Sequence, residues 1–201
     1  MSSFKKIIFR FTIILLVAGI QLLYFPLNQT SSGGVAPAIP LDAHIPLLPG
    51  WVFIYLAAIP AWVFALVWST FKMDDWLFRL SALTAVTAVG VGVSMFHFFP
   101  TYVVRPEIHR SDLPSFVIQW LYAHDQPYNA LPSAHVYLTT MIAILWSRWK
   151  PKWSFLWFTA AVAICLSSLF TKLHYLLDVV SGLGVAFIAY CLGVWLTSWL
   201  G

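Results

Sequence analysis

Charge is what this chain has least of. Asp, Glu, Lys and Arg together make up 9% of its 201 residues, against 61% hydrophobic ones. Soluble domains carry about a quarter charged residues, and a chain this short cannot hide so large an apolar share from water. The scarcity excludes an ordinary soluble enzyme, a disordered chain and a nucleic-acid binder; the formal net charge of +4 reads as membrane-flanking charge. Cysteine is almost absent. Cys165 and Cys191 both sit in apolar runs without C-x-x-C spacing, which excludes a disulfide framework and reads as packing. There is no HExxH motif and no acidic cluster, so metal catalysis lacks a ligand set. Internal repeats and low-complexity tracts are missing as well.

Long apolar runs rich in Trp and Phe are what the chain does have. A bilayer core needs roughly 20 apolar residues per helix, and six runs meet that need: about 7–25, 50–70, 80–99, 134–149, 153–171 and 174–200. Lipid offers no partner to an open backbone, so all six are predicted helices. The fold class is therefore all-α: a polytopic integral membrane protein of six transmembrane helices in one domain, 1–201. The first run follows Lys5 and Lys6 and resembles a signal peptide, but Ala36-Pro37-Ala38 lies too far downstream for cleavage; it reads as an uncleaved span.

The cations set the orientation. Lys5, Lys6, Arg10, Lys72, Arg79, Arg148, Lys150 and Lys152 fall on one side of the six runs, and Arg105, Arg110 and Lys172 on the other. The positive-inside rule puts both termini in the cytoplasm. Residues 26–49 then form an outer loop rich in Pro, Gly and Ser, and 100–132 a second one. Within the second, Ser111-Asp112-Leu113-Pro114 is placed to cap a short amphipathic helix through about Tyr122, with Phe116, Trp120 and Tyr122 on the membrane surface.

Polar residues gather on that outer side. Arg105-Pro106 follows the third run, Leu131-Pro132-Ser133-Ala134-His135 opens the fourth, and Lys172-Leu173-His174 to Asp178 joins the fifth to the sixth. Ionisable groups at such positions are costly and usually functional. His174 and Asp178, four apart, are predicted to share one helix face. The carboxylate fixes the imidazole tautomer and leaves the other ring nitrogen as base, ligand or nucleophile. Pro132 and Ser133 make a good helix N-terminus, whose N–H groups and dipole favour an anion. His135 lies in that first turn, placed to donate a proton. Arg105 offers a donor fork and Lys172 a compact charge. Two His, two cations, a carboxylate and a helix N-terminus describe a phosphoryl-transfer site without a metal. His135 and His174 also start neighbouring runs at one depth, so a bis-His haem is the remote alternative.

These segments resemble the type 2 phosphatidic acid phosphatase superfamily, which includes the inositolphosphorylceramide and sphingomyelin synthases. Its first motif ends in Arg-Pro, as Arg105-Pro106 does; its second is Pro-Ser-Gly-His, matched by Pro132-Ser133-Ala134-His135; its third spaces Ser-Arg, His and Asp as Ser167-Ser168, His174 and Asp178 are spaced here. The resemblance covers about 80–190. Three positions depart: Phe98 stands where the family has Lys, Ala134 for Gly, and Ser168 for Arg. Thr171 to Asp178 with Asn129 to Ser133 looks more like the lipid-phosphotransferase branch.

The resemblance implies a metal-independent lipid phosphatase or phosphotransferase working through a phosphohistidine at the outer face. In it His174 is the nucleophile, Asp178 orients it, and His135 protonates the leaving alcohol. Arg105, Lys172 and the backbone at Ser133 and Ala134 bind the phosphate, and neither cofactor nor metal takes part. The substrate would be a lipid phosphate, or a phospholipid if an alcohol replaces water as acceptor. The compact loops and the lack of retention signals fit a bacterial inner membrane with the site facing the periplasm. Gly182, Gly184 and Ala186 would let the sixth span pack closely on a neighbour, in the same chain or another.

Overall fold

Eight α-helices carry the chain in the computed structural model, which describes residues 3–200: α1 Ser3–Leu22, α2 Tyr24–Thr30, α3 Val52–Lys72, α4 Asp75–Phe98, α5 Leu113–His124, α6 Ala134–Trp149, α7 Ser154–Phe170 and α8 Leu176–Leu200. Met1, Ser2 and Gly201 lie outside the described residues. Between α2 and α3 run an extended stretch and two 3-10 turns, Pro40–His44 and Pro49–Trp51. Among the described residues β-pairing is confined to two isolated bridges, Val35 with Thr101 and Tyr102 with Tyr128.

Five helical segments are long and apolar enough to cross a membrane: Phe4–Thr30, Pro49–Lys72, Asp75–Phe98, Pro151–Phe170 and Leu176–Trp199. They match five of the six expected runs. The sixth, α6, has 16 residues, about 24 Å at the usual helical rise, and is shorter than the others. It is packed from three sides, by α7, α8 and α4. Its Val136, Tyr137, Met141, Ala143 and Leu145 are all at most 3% exposed. The long helices instead expose Phe and Leu outward, with Leu15, Phe187 and Phe155 each above 60% exposed. That inside-out distribution is what a lipid-facing surface requires, since lipid does not drive apolar side chains inward.

Two ends of the bundle differ in chemistry. At one end the buried Arg10 of α1 donates to the carbonyls of Thr70 and Met73 where α3 ends, and to Asp75 where α4 begins. Lys6 reaches the same carboxylate at 2.7 Å. Arg148, at the close of α6, lies over Trp76 of α4 and donates to Tyr190 of α8. These contacts gather Lys6, Arg10 and Arg148 at one end. Gly193 of α8 packs against Thr84 and Leu80 of α4, so α8 returns its C-terminal half to that end.

The expected surface helix is present as α5. Asp112 caps it, accepting from Ser115 N–H at 2.9 Å, and Leu113, Phe116 and Trp120 are each more than half exposed along one stripe. Of the small residues on α8, Gly182 meets α6 of the same chain: a Cβ there would lie 3.0 Å from the Ser133 carbonyl and from Val136. Gly184 faces open space.

Candidate active site

The end opposite Arg10 is built from several chain segments. Ser133 is the N-cap of α6, and its hydroxyl makes no capping bond. Its own N–H is already used, donating to the Asp178 carbonyl at 3.0 Å. The first bond inside the helix runs from Tyr137 N–H to Ser133 O, so the N–H groups of residues 134–136 form the open turn that the helix presents to an anion.

His174 precedes α8 rather than lying on it. The expectation that it shares a helix face with Asp178 is corrected here. α7 ends in a tight turn, with Lys172 in the left-handed region at φ 53 and His174 N–H donating to Ser168 O. α8 starts only at Leu176. Asp178 sits in its first turn, and its Oδ2 accepts Tyr175 N–H at 2.8 Å, the reach-back of an acidic residue to the residue before the helix. The same Oδ2 lies 3.4 Å from His174 Nδ1. Their pairing thus comes from a capping turn, and its alignment falls short of a hydrogen bond; such contacts commonly tighten once a substrate is bound. Asp178 is fully buried and His174 is 8% exposed.

His135 lies in the first turn of α6. Its ring stacks on Tyr55 of α3 with centroids 3.7 Å apart and meets Trp62 at 4.8 Å. Ala134 beside it puts its backbone at the open end of the helix. His135 lies within electrostatic reach of His174, His174 of Asp125, and Asp125 of Arg105, Tyr55 and Tyr24.

Eleven buried side-chain atoms among the described residues lack a hydrogen-bond partner, and six of them fall here: Ser133 Oγ, His135 Nε2, His174 Nδ1, Asp178 Oδ1, Asn129 Oδ1 and Arg105 Nε. Buried polar groups are normally paired, and each exception needs a reason. More than half of them collect at this one end of the bundle.

The two cations are engaged elsewhere than on an open phosphate cradle. Arg105 donates to the carbonyls of Tyr122, Asp125 and Gln126, where α5 ends. Its guanidinium also lies 3.7 Å from the Asp125 carboxylate and over the Tyr122 ring. Lys172 Nζ donates to Asp42 O at 3.0 Å. Asp42, itself buried, accepts from Ile39 N–H and Leu176 N–H, so the 3-10 turn Pro40–His44 is strapped onto the α7–α8 junction. Phe98 points away, 70% exposed, and Ser168 is fully buried with its hydroxyl on Ile164 O.

Arg105 therefore has a measurable structural duty. Arg105→Gln leaves several carbonyls and the Asp125 carboxylate without their donor. We expect a loss of about 3 kcal/mol, read as a lowered thermal midpoint in detergent; an unchanged midpoint would show that these bonds add nothing.

Sequence reasoning missed Asp125, Tyr24 and Tyr55. Burial raises the Asp125 carboxyl above the usual range, opposed by the Tyr24 hydroxyl that donates to it at 2.8 Å and by Arg105 and His174. Burial likewise pushes Tyr122 up to about 12. Asp112 is held low by its bonds to Ser115. Asn28 of α2 donates to Gln126 O and Tyr128 O and accepts Gln126 N–H, so α2 fixes the loop that carries Asp125. A Tyr or Asn inside an apolar run (Tyr24, Asn28, Tyr55) is the signal that could have found this layer.

Among the described residues no group of three or more His, Cys, Asp or Glu side chains is placed to hold a metal ion. Against family models, curated proteins and solved structures the chain has no match.

Proposed function

We propose that the protein is a membrane lipid-phosphate phosphatase or phosphotransferase acting through a phosphohistidine. One observation carries the reading: a buried His–Asp pair set against the N-terminus of α6, surrounded by unpartnered polar atoms. α6 serves as the sixth span. The eight cations at the far end face the cytoplasm under the positive-inside rule, which puts both termini there and the site at the outer face. A bacterial inner membrane is the setting we favour.

His174 Nε2 attacks phosphorus while Nδ1 holds its proton toward Asp178, which stabilises the developing imidazolium. The bond from phosphorus to the lipid alcohol breaks, and His135 delivers a proton to the leaving oxygen. The N–H groups of residues 134–136 and the Ser133 hydroxyl hold the non-bridging oxygens, where charge stabilisation counts most. Arg105 and Lys172 add positive potential from the loops they organise. A second acceptor then attacks phosphohistidine and gives its proton to His135. Water as acceptor yields free phosphate, and an alcohol yields a new lipid. The resemblance to the phosphotransferase branch in residues 171–178 supports the second outcome.

Incubation of the purified protein in vesicles with a panel of lipid phosphates, chelator present, tests the reading through free phosphate and new lipid species. Turnover of neither kind would overturn it. The acid role of His135 has its own signature. His135→Asn is expected to slow turnover of a lipid alkyl phosphate by about 10²–10⁴-fold. A p-nitrophenyl phosphodiester or monoester, whose leaving group needs no proton, should lose less than about tenfold. Equal losses on both would remove His135 from the acid role.

A further inference from the structure

A cleft of about 390 Å³ runs down the side of the bundle between α3, α6 and α7. Apart from Thr139, its walls are apolar. Ala57, Ala58, Ala61, Ala160 and Ala163 leave it open where larger side chains would close α3 against α7. Its upper wall includes Trp62, whose ring touches His135 and whose Nε1 donates to Thr139 at 2.9 Å. Its lower end is closed by Trp146 and Trp157, packed edge to face with centroids 5.0 Å apart. Ala57, Ala61 and Ala160 are exposed, so the cleft opens sideways to lipid. From His135 to Trp146 along α6 is about 16 Å at the helical rise.

We infer that this cleft receives one hydrocarbon chain of the substrate lipid and that the Trp146–Trp157 pair sets how long a chain fits. The inference deepens the functional reading above and rests on it. The contact of its Trp62 wall with His135 favours a chain whose headgroup sits at the site. The volume is at the small end of ligand sites, which suits one chain. A helix of a second copy, roughly 10 Å across, can lie over such a cleft but cannot enter it.

Two experiments test this. In the first, Ala61→Phe places a ring in the cleft from a lipid-exposed position, where folding is not at stake. kcat/KM for dipalmitoyl phosphatidic acid is expected to fall at least about tenfold, and for dihexanoyl phosphatidic acid less than about twofold. Trp146→Ala should shift preference toward longer chains. Equal effects on both substrates would overturn the inference while leaving the functional reading intact; no turnover of either by the unaltered protein would instead remove that reading. The second needs no turnover. His174→Ala protein in vesicles is loaded with phosphatidic acid bearing a diazirine at its chain terminus, irradiated and mapped. Adducts are expected on residues 142–146 and 157–164, and should be lost in the Ala61→Phe double variant. Adducts spread over the outer faces of α1 and α8 alone, or loss of a protein–protein crosslink rather than a lipid adduct on Ala61→Phe, would overturn the inference.

Discussion

His174→Ala should abolish turnover, by about 10⁴-fold or more, in a protein that still folds and inserts. The expectation follows from where the side chain stands. His174 lies in the turn between α7 and α8 rather than inside a helix, and its backbone N–H, which bonds Ser168 O, survives the substitution. A covalent intermediate cannot form on Ala, and neither His135 nor the open turn of α6 replaces a nucleophile. The measurement is steady-state turnover of the most active lipid phosphate, beside a thermal midpoint in detergent. Residual turnover within about tenfold of the unaltered protein would place the nucleophile elsewhere.

Asp178→Asn should cost nearly as much and for a different reason. The carboxylate does two jobs with one oxygen: Oδ2 caps Tyr175 N–H at 2.8 Å and faces His174 Nδ1 at 3.4 Å. An amide with its oxygen in that place keeps both contacts but loses the charge that stabilises the imidazolium; with its NH₂ there it gives up the cap and turns a donor toward Nδ1. That geometry favours the tautomer with its proton on Nε2 and removes the lone pair needed for attack. A carboxylate-to-amide change in a comparable His–Asp pair costs about 10⁴-fold. KM should move little, because in the proposed reaction Asp178 acts through His174. The pH profile of kcat should lose its alkaline plateau if the tautomer is at fault. A variant that loses only thermal stability, with kcat within about threefold, would reduce Asp178 to a helix cap.

The helices were legible because lipid imposes a simple rule: about 20 apolar residues in a row have one stable form. Five spans follow it. α6 obeys it least, with 16 residues, because a helix enclosed by α4, α7 and α8 is chosen for fit to protein neighbours. Its boundaries, Ala134 and Trp149, were still marked by Pro132-Ser133 on one side and Lys150-Pro151 on the other. The segments that carry the site could also be found by their polar residues. How they would meet could not. Spacing made His174 and Asp178 look like helix-face neighbours, whereas the chain turns through Lys172 at positive φ and brings them together across a cap. The carbonyl clamp of Arg105 and the strap from Lys172 to Asp42 depend on contacts between residues far apart in sequence, which no local pattern encodes. Asp125 was hidden for the same reason: in an outer loop it reads as a solvated charge, and the contacts of Tyr24 and Arg105 with it, which leave it only partly exposed, come from the fold.

The central claim is that phosphorus becomes bonded to His174, and the direct test is to catch it there. The protein is mixed with phosphorus-labelled lipid phosphate, quenched in base within the first turnover and digested for mapping. An acid-labile, base-stable label on the peptide containing His174, missing from the His174→Ala protein, is the predicted result. Turnover that proceeds with no labelled peptide, or with the label on any other residue, would contradict it.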